Sequence, residues 1–78
     1  MVRTFIFIYE NSYPNKWGDY LFGRRTIKAS TLREALLKWK KMLENGVIST
    51  SGKDYEFIYE KVNGKEIEIK NDSMGGVF

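Results

Sequence analysis

The sequence predicts an α+β fold: a two-layer ββαββ domain whose four-stranded antiparallel sheet, in strand order 2-1-3-4, carries one helix packed on one face. Three observations predict it. Only residues 31–44, TLREALLKWKKMLE, hold a helical period. Two β-rich stretches precede that segment and two follow it. Asn63-Gly64 joins the last two as a two-residue type I′ hairpin. At 78 residues the chain has room for one domain and one core.

The first strand is expected over 2–10, where Val, Ile, Phe and Tyr dominate. Val2, Thr4, Ile6 and Ile8 point one way and Arg3, Phe5, Phe7 and Tyr9 the other. Both sets are largely apolar, which predicts a central strand. Residues 11–19, NSYPNKWGD, read as a loop, with Pro14, Asn15 and Gly18 as turn formers. Tyr13 and Trp17 in that polar loop call for a local packing partner or a ligand. The second strand is expected over 20–29, and Gly23 within it marks a bulge or a close backbone approach.

In the helix, Leu32, Ala35, Leu36, Trp39, Met42 and Leu43 form one apolar stripe. Thr31 and Glu34 have the spacing of a capping box, with Ser30 as the alternative cap. Asn45-Gly46 supplies the stop. Leu37 lies roughly 140° from Leu32 around the wheel, among charged residues, and is expected to be exposed. The third and fourth strands are expected over 54–62 and 65–70. The turn pairs Val62 with Lys65, Glu60 with Ile67, Ile58 with Ile69, Lys61 with Glu66, and Tyr59 with Glu68. Residues 71–78 read as a glycine-containing tail. A right-handed crossover carries the helix from strand two to strand three over strand one.

Composition narrows the chemistry. With no cysteine and no histidine, disulfides, thiolate chemistry, histidine-ligated zinc and histidine-based catalysis are excluded. The segment Ser51-Gly52-Lys53 lacks the spacing and the following helix of a phosphate-binding loop. Glu66 and Glu68 sit near Lys61 and read as a solvated ion-pair array. Asn71-Asp72-Ser73 matches a glycosylation sequon but has no secretory context. The expectation is therefore a non-enzymatic protein with no catalytic residue, no metal and no cofactor. The N-terminal stretch lacks the pattern of a signal peptide, and no apolar run approaches the ~20 residues of a membrane span. A cytoplasmic protein without a membrane partner is expected.

The functional expectation rests on the sheet's second face. Grouping residues by type places Val2, Ile6, Ile8, Leu21, Ile27, Ile58, Val62, Ile67 and Ile69 beneath the helix. That leaves Phe5, Phe7, Tyr9, Tyr20, Phe22, Tyr55, Phe57 and Tyr59 uncovered, with Arg24 and Lys28 beside them. Large exposed apolar patches usually mark interaction surfaces. The first expectation is a protein contact, either a homodimer or a bound or inhibited partner. Small cysteine-free chains of this kind are frequent among phage and mobile-element products. The alternative is single-stranded nucleic acid, with bases stacked on the rings and phosphates on the interleaved Arg3, Arg24, Lys28, Lys61 and Lys70, a mode worth ~1–3 kcal/mol per stacked base. The net charge of +3 is compatible with it. Trp17, Leu37 and Lys41 form a second candidate contact.

Overall fold

The computed structural model describes residues 1–69, and the expected tail at 71–78, like Lys70, lies outside them. The strands are β1 (Arg3–Glu10), β2 (Phe22–Ala29), β3 (Phe57–Val62) and β4 (Lys65–Glu68), and the helix is α1 (Leu32–Glu44). They form one antiparallel sheet in the order β2-β1-β3-β4. The expected ββαββ order, sheet order and single helix are all present.

Local signals act where the sequence places them. The Thr31 hydroxyl accepts from the Glu34 amide at 3.1 Å. The returning half of the box reaches one residue further back, with the Ser30 hydroxyl donating to the Glu34 carboxylate at 2.9 Å. At the other end Gly46 takes φ +73°. Its amide donates to the Leu43 carbonyl and the Val47 amide to the Met42 carbonyl, the paired bonds of a Schellman motif. Asn63 (φ 52°) and Gly64 (φ 80°) form the tight turn, and the pairing from Val62–Lys65 to Tyr59–Glu68 follows it. The ladder continues at Ile69, whose amide donates to the Ile58 carbonyl.

Gly23 is a close approach, not a bulge, because β1 and β2 pair without interruption from Arg3–Ala29 to Glu10–Phe22. The Tyr9 ring occupies the space a side chain would need there, so a Cβ would clash with it.

The face that α1 covers is not the expected one. Phe5, Phe7, Ile27, Ala29, Ala35, Trp39, Ile48 and Ile58 form the buried core, with Tyr9, Tyr55 and Ile69 packed against it. Phe7 stacks on Trp39 at 4.8 Å and 11°, and meets Tyr55 edge-on at 5.8 Å. The Trp39 indole N–H donates to the Asp54 carbonyl at 3.1 Å. Phe5, Phe7, Tyr9 and Tyr55 therefore lie under the helix, which corrects their assignment to the uncovered face. Pairing register is the reason. Phe5 sits opposite Ile27 and Phe7 opposite Ile58, so the rings of β1 share a face with the aliphatic residues of β2 and β3. Tyr55 precedes β3, outside the strand's alternation, and turns inward. Val62 and Ile67 are on the helix side but remain exposed, at 39% and 53%, because α1 lies against β2 and leaves the β4 edge outside its footprint.

Arg3 closes one end of the core. Its guanidinium stands 5.0 Å from the Phe5 ring and donates twice to Glu60, at 2.7 and 2.8 Å. This bidentate hydrogen bonding holds the Glu60 carboxyl below the usual carboxylate range, against the opposing effect of partial burial.

Candidate interaction face

With β1 facing this way, the side of the sheet without a helix carries Thr4, Ile6, Ile8 and Glu10 from β1. To these β2 adds Phe22, Arg24, Thr26 and Lys28, β3 adds Phe57, Tyr59 and Lys61, and β4 adds Glu66 and Glu68. The expected site residues thus divide. Phe22, Arg24, Lys28, Phe57 and Tyr59 share this open face. Tyr20 lies just ahead of β2 and is exposed. Sequence reasoning missed Ile6 and Ile8, because it turned β1 the wrong way round. The readable signal was Arg3 and Glu60: each alternates with the open-face residues of its own strand, and opposite charges at that spacing tie the two strands' faces together.

Ile6 is only 2% exposed although it belongs to the open face and lies outside the core beneath α1. The ion pair between Arg24 and Glu66 accounts for this. Arg24 stands on one outer strand, in the row of Ile8, and Glu66 on the other, in the row of Thr4. The line joining them crosses the Ile6–Tyr59 pair diagonally, so the two side chains form a strap over Ile6. Both partners are well exposed, and such a pair contributes ~0–1 kcal/mol. The strap's main effect is to shelter the middle of the face.

One end stays uncovered. Phe22 is 60% exposed and Phe57 44%. Phe57 also contacts Tyr59, with ring centroids 6.4 Å apart. The apolar surface continues along the β1–β2 loop through Leu21, Tyr20, Trp17 and Tyr13, all exposed. That loop is braced from within. The Asn15 side-chain carbonyl accepts from the Trp17 and Asp19 amides, both at 2.9 Å, and the Asn15 amide donates to the Asp19 carbonyl. Trp17 therefore stands at the tip of an ordered turn, with the Lys16 ammonium 4.5 Å from its ring.

Charge on the open face is balanced. Arg24, Lys28 and Lys61 stand with Glu10, Glu66 and Glu68, and the outer strands differ in sign: cations on β2, carboxylates on β4. Leu37 and Lys41, the other expected contact, lie on the outer side of α1 in a shallow depression of about 470 Å3 shared with Glu34 and Glu44. Trp17 does not line that depression. Among the described residues no group of three histidine, cysteine, aspartate or glutamate side chains is placed to hold a metal ion. Among them, too, no helix is long and apolar enough to cross a membrane.

Comparison with family models, curated proteins and solved structures finds no match to this chain.

Proposed function

We propose that this chain is a small, non-enzymatic protein-interaction module whose contact surface is the open face of its sheet. The supporting observation is the exposure of Phe22 and Phe57 at one end of that face, continuous with an aromatic loop. Burying a phenylalanine ring fully gains ~1.5–3 kcal/mol, and about half of that gain is still unrealised at each ring. A protein surface recovers it. Aromatic anchors with a mixed-charge surround are the usual make-up of a protein contact.

Single-stranded nucleic acid fits less well. Bases would stack on Phe57 and Tyr59, but the phosphates would meet as many carboxylates as cations. Arg24, the best-placed cation, is already paired with Glu66.

The test is a photo-crosslinking amino acid placed at Phe57 in the expressed protein, with the same probe at Lys40 on α1 as the control. A polypeptide crosslinked from position 57 and not from position 40 supports the proposal. A nucleic-acid adduct at position 57, or no adduct, overturns it.

A further inference from the structure

Resting on that reading, we infer that the occupant of the open face is a second copy of this chain, related by a two-fold axis parallel to the strands. The charges choose this geometry. Two sheets packed face to face stay within ~30° of alignment, ~10 Å apart. A two-fold axis along the strands then lays β2 of one copy over β4 of the other. The cationic strand meets the acidic strand twice, by symmetry. An in-plane axis across the strands would instead lay β2 on β2 and β4 on β4, setting like charges together.

The rows also agree. Lys28 and Glu66 both lie in the row of Thr4, Lys28 as its direct partner and Glu66 through Lys61. The axis keeps each residue in its row, so Lys28 of one copy comes opposite Glu66 of the other. Glu66 retains its own Arg24 and gains a second cation. In the middle, β1 lies over β3 of the partner copy, and Ile8 faces the row of Phe57. Phe57, which each chain leaves exposed, is covered by the other's Ile8.

Eight residues on each of β1 and β2, six on β3 and four on β4, at ~3.3 Å along and ~4.8 Å between strands, give a face of about 400 Å2 per copy. Two such faces reach about 800 Å2, below the ~1,000 Å2 of a stable specific interface, which predicts a weak and concentration-dependent dimer.

The experiment is sedimentation equilibrium over a concentration series on wild type, Lys28→Glu, Glu66→Lys, and an equimolar mixture of the two variants. Each variant alone places like charges opposite each other at both symmetric contacts, and its dimerisation constant is expected to fall roughly tenfold or more. In the mixture, the carboxylate introduced at position 28 of one chain meets the ammonium introduced at position 66 of the other. The second contact keeps its native pair, so both are attractive. Recovery of a heterodimer there supports the inference. Lys41→Glu mixed with Glu66→Lys has the same net charges with the reversal on the outer helix surface. There the Glu66→Lys chain is expected to gain no comparable partner. Equal recovery in both mixtures would overturn the pairing. So would a wild-type protein that stays monomeric at every concentration. If that monomer still crosslinks a different polypeptide through position 57, the interaction-module reading survives and the two-fold dimer does not. If it crosslinks nothing, both fall.

Discussion

Replacing Phe7 and replacing Phe57 by alanine should have opposite consequences, and the contrast follows from which side of the sheet each ring occupies. Phe7 is fully buried, stacked on Trp39 and touching Tyr55. Truncating a buried phenylalanine costs ~3–5 kcal/mol, including the cavity it leaves. A domain of this length has roughly 4–12 kcal/mol in total. Phe7→Ala therefore removes between about a quarter and all of the folding free energy. Phe57 is 44% exposed, so only about half of its ring area is at stake, and Phe57→Ala should cost ~1 kcal/mol. Urea titrations followed by far-ultraviolet circular dichroism measure both. Where Phe7→Ala is already unfolded in buffer, Phe7→Leu keeps most of the bulk, loses the ring stacking, and should cost ~1–2 kcal/mol. A Phe7→Leu variant no less stable than wild type, beside a Phe57→Ala variant that fails to fold, would refute this assignment of the faces.

Three further outcomes follow from single contacts. Gly23→Ala should destabilise by ~1–2 kcal/mol by pushing the Tyr9 ring off Trp39. Adding Tyr9→Ala should give a total smaller than the sum of the two changes in denaturation, the mark of a shared contact. Glu60 has its folded pKa lowered by Arg3, so the stability it supplies is present above the ordinary glutamate value of 4.5 and is lost as the pH falls through the lowered folded value. Glu60→Gln should accordingly flatten the acid limb of a stability–pH profile below pH 4.5, leaving its shape near neutrality unchanged. Trp39 is buried and Trp17 is 73% exposed, so Trp17→Phe should remove most acrylamide quenching, while Trp39→Phe should leave a strongly quenched emission.

The parts of this fold that were legible in the sequence are those set by short-range chemistry. The helix stripe, the Thr31 cap, the Gly46 stop and the Asn63-Gly64 register each depend on residues within a few positions of one another. The facing of β2, β3 and β4 was legible as well, because the Asn63-Gly64 turn fixes β3 against β4 and Lys28 alternates with Ile27 and Ala29 in β2. The orientation of β1 was not. Both of its sides are apolar, so hydrophobic patterning does not distinguish them, and sorting by residue type set rings against rings. Pairing decided otherwise, through Phe5 opposite Ile27 and Phe7 opposite Ile58. The burial of Ile6 was also beyond reach, since Arg24 and Glu66 lie far apart in the chain and meet across the whole width of the sheet. The candidate face consequently survived in part. Phe22, Arg24, Lys28, Phe57 and Tyr59 remain on it, while Phe5, Phe7, Tyr9 and Tyr55 moved into the core.

The most direct measurement is fluorine NMR of protein carrying fluorophenylalanine at its five phenylalanine positions, recorded with a soluble gadolinium chelate. The signals of Phe22 and Phe57 should broaden strongly in dilute protein and that of Phe57 should become protected as concentration rises, while those of Phe5 and Phe7 stay sharp throughout. Broadening at Phe5 and Phe7, with Phe22 and Phe57 shielded at every concentration, would mean that the helix covers the other side of the sheet.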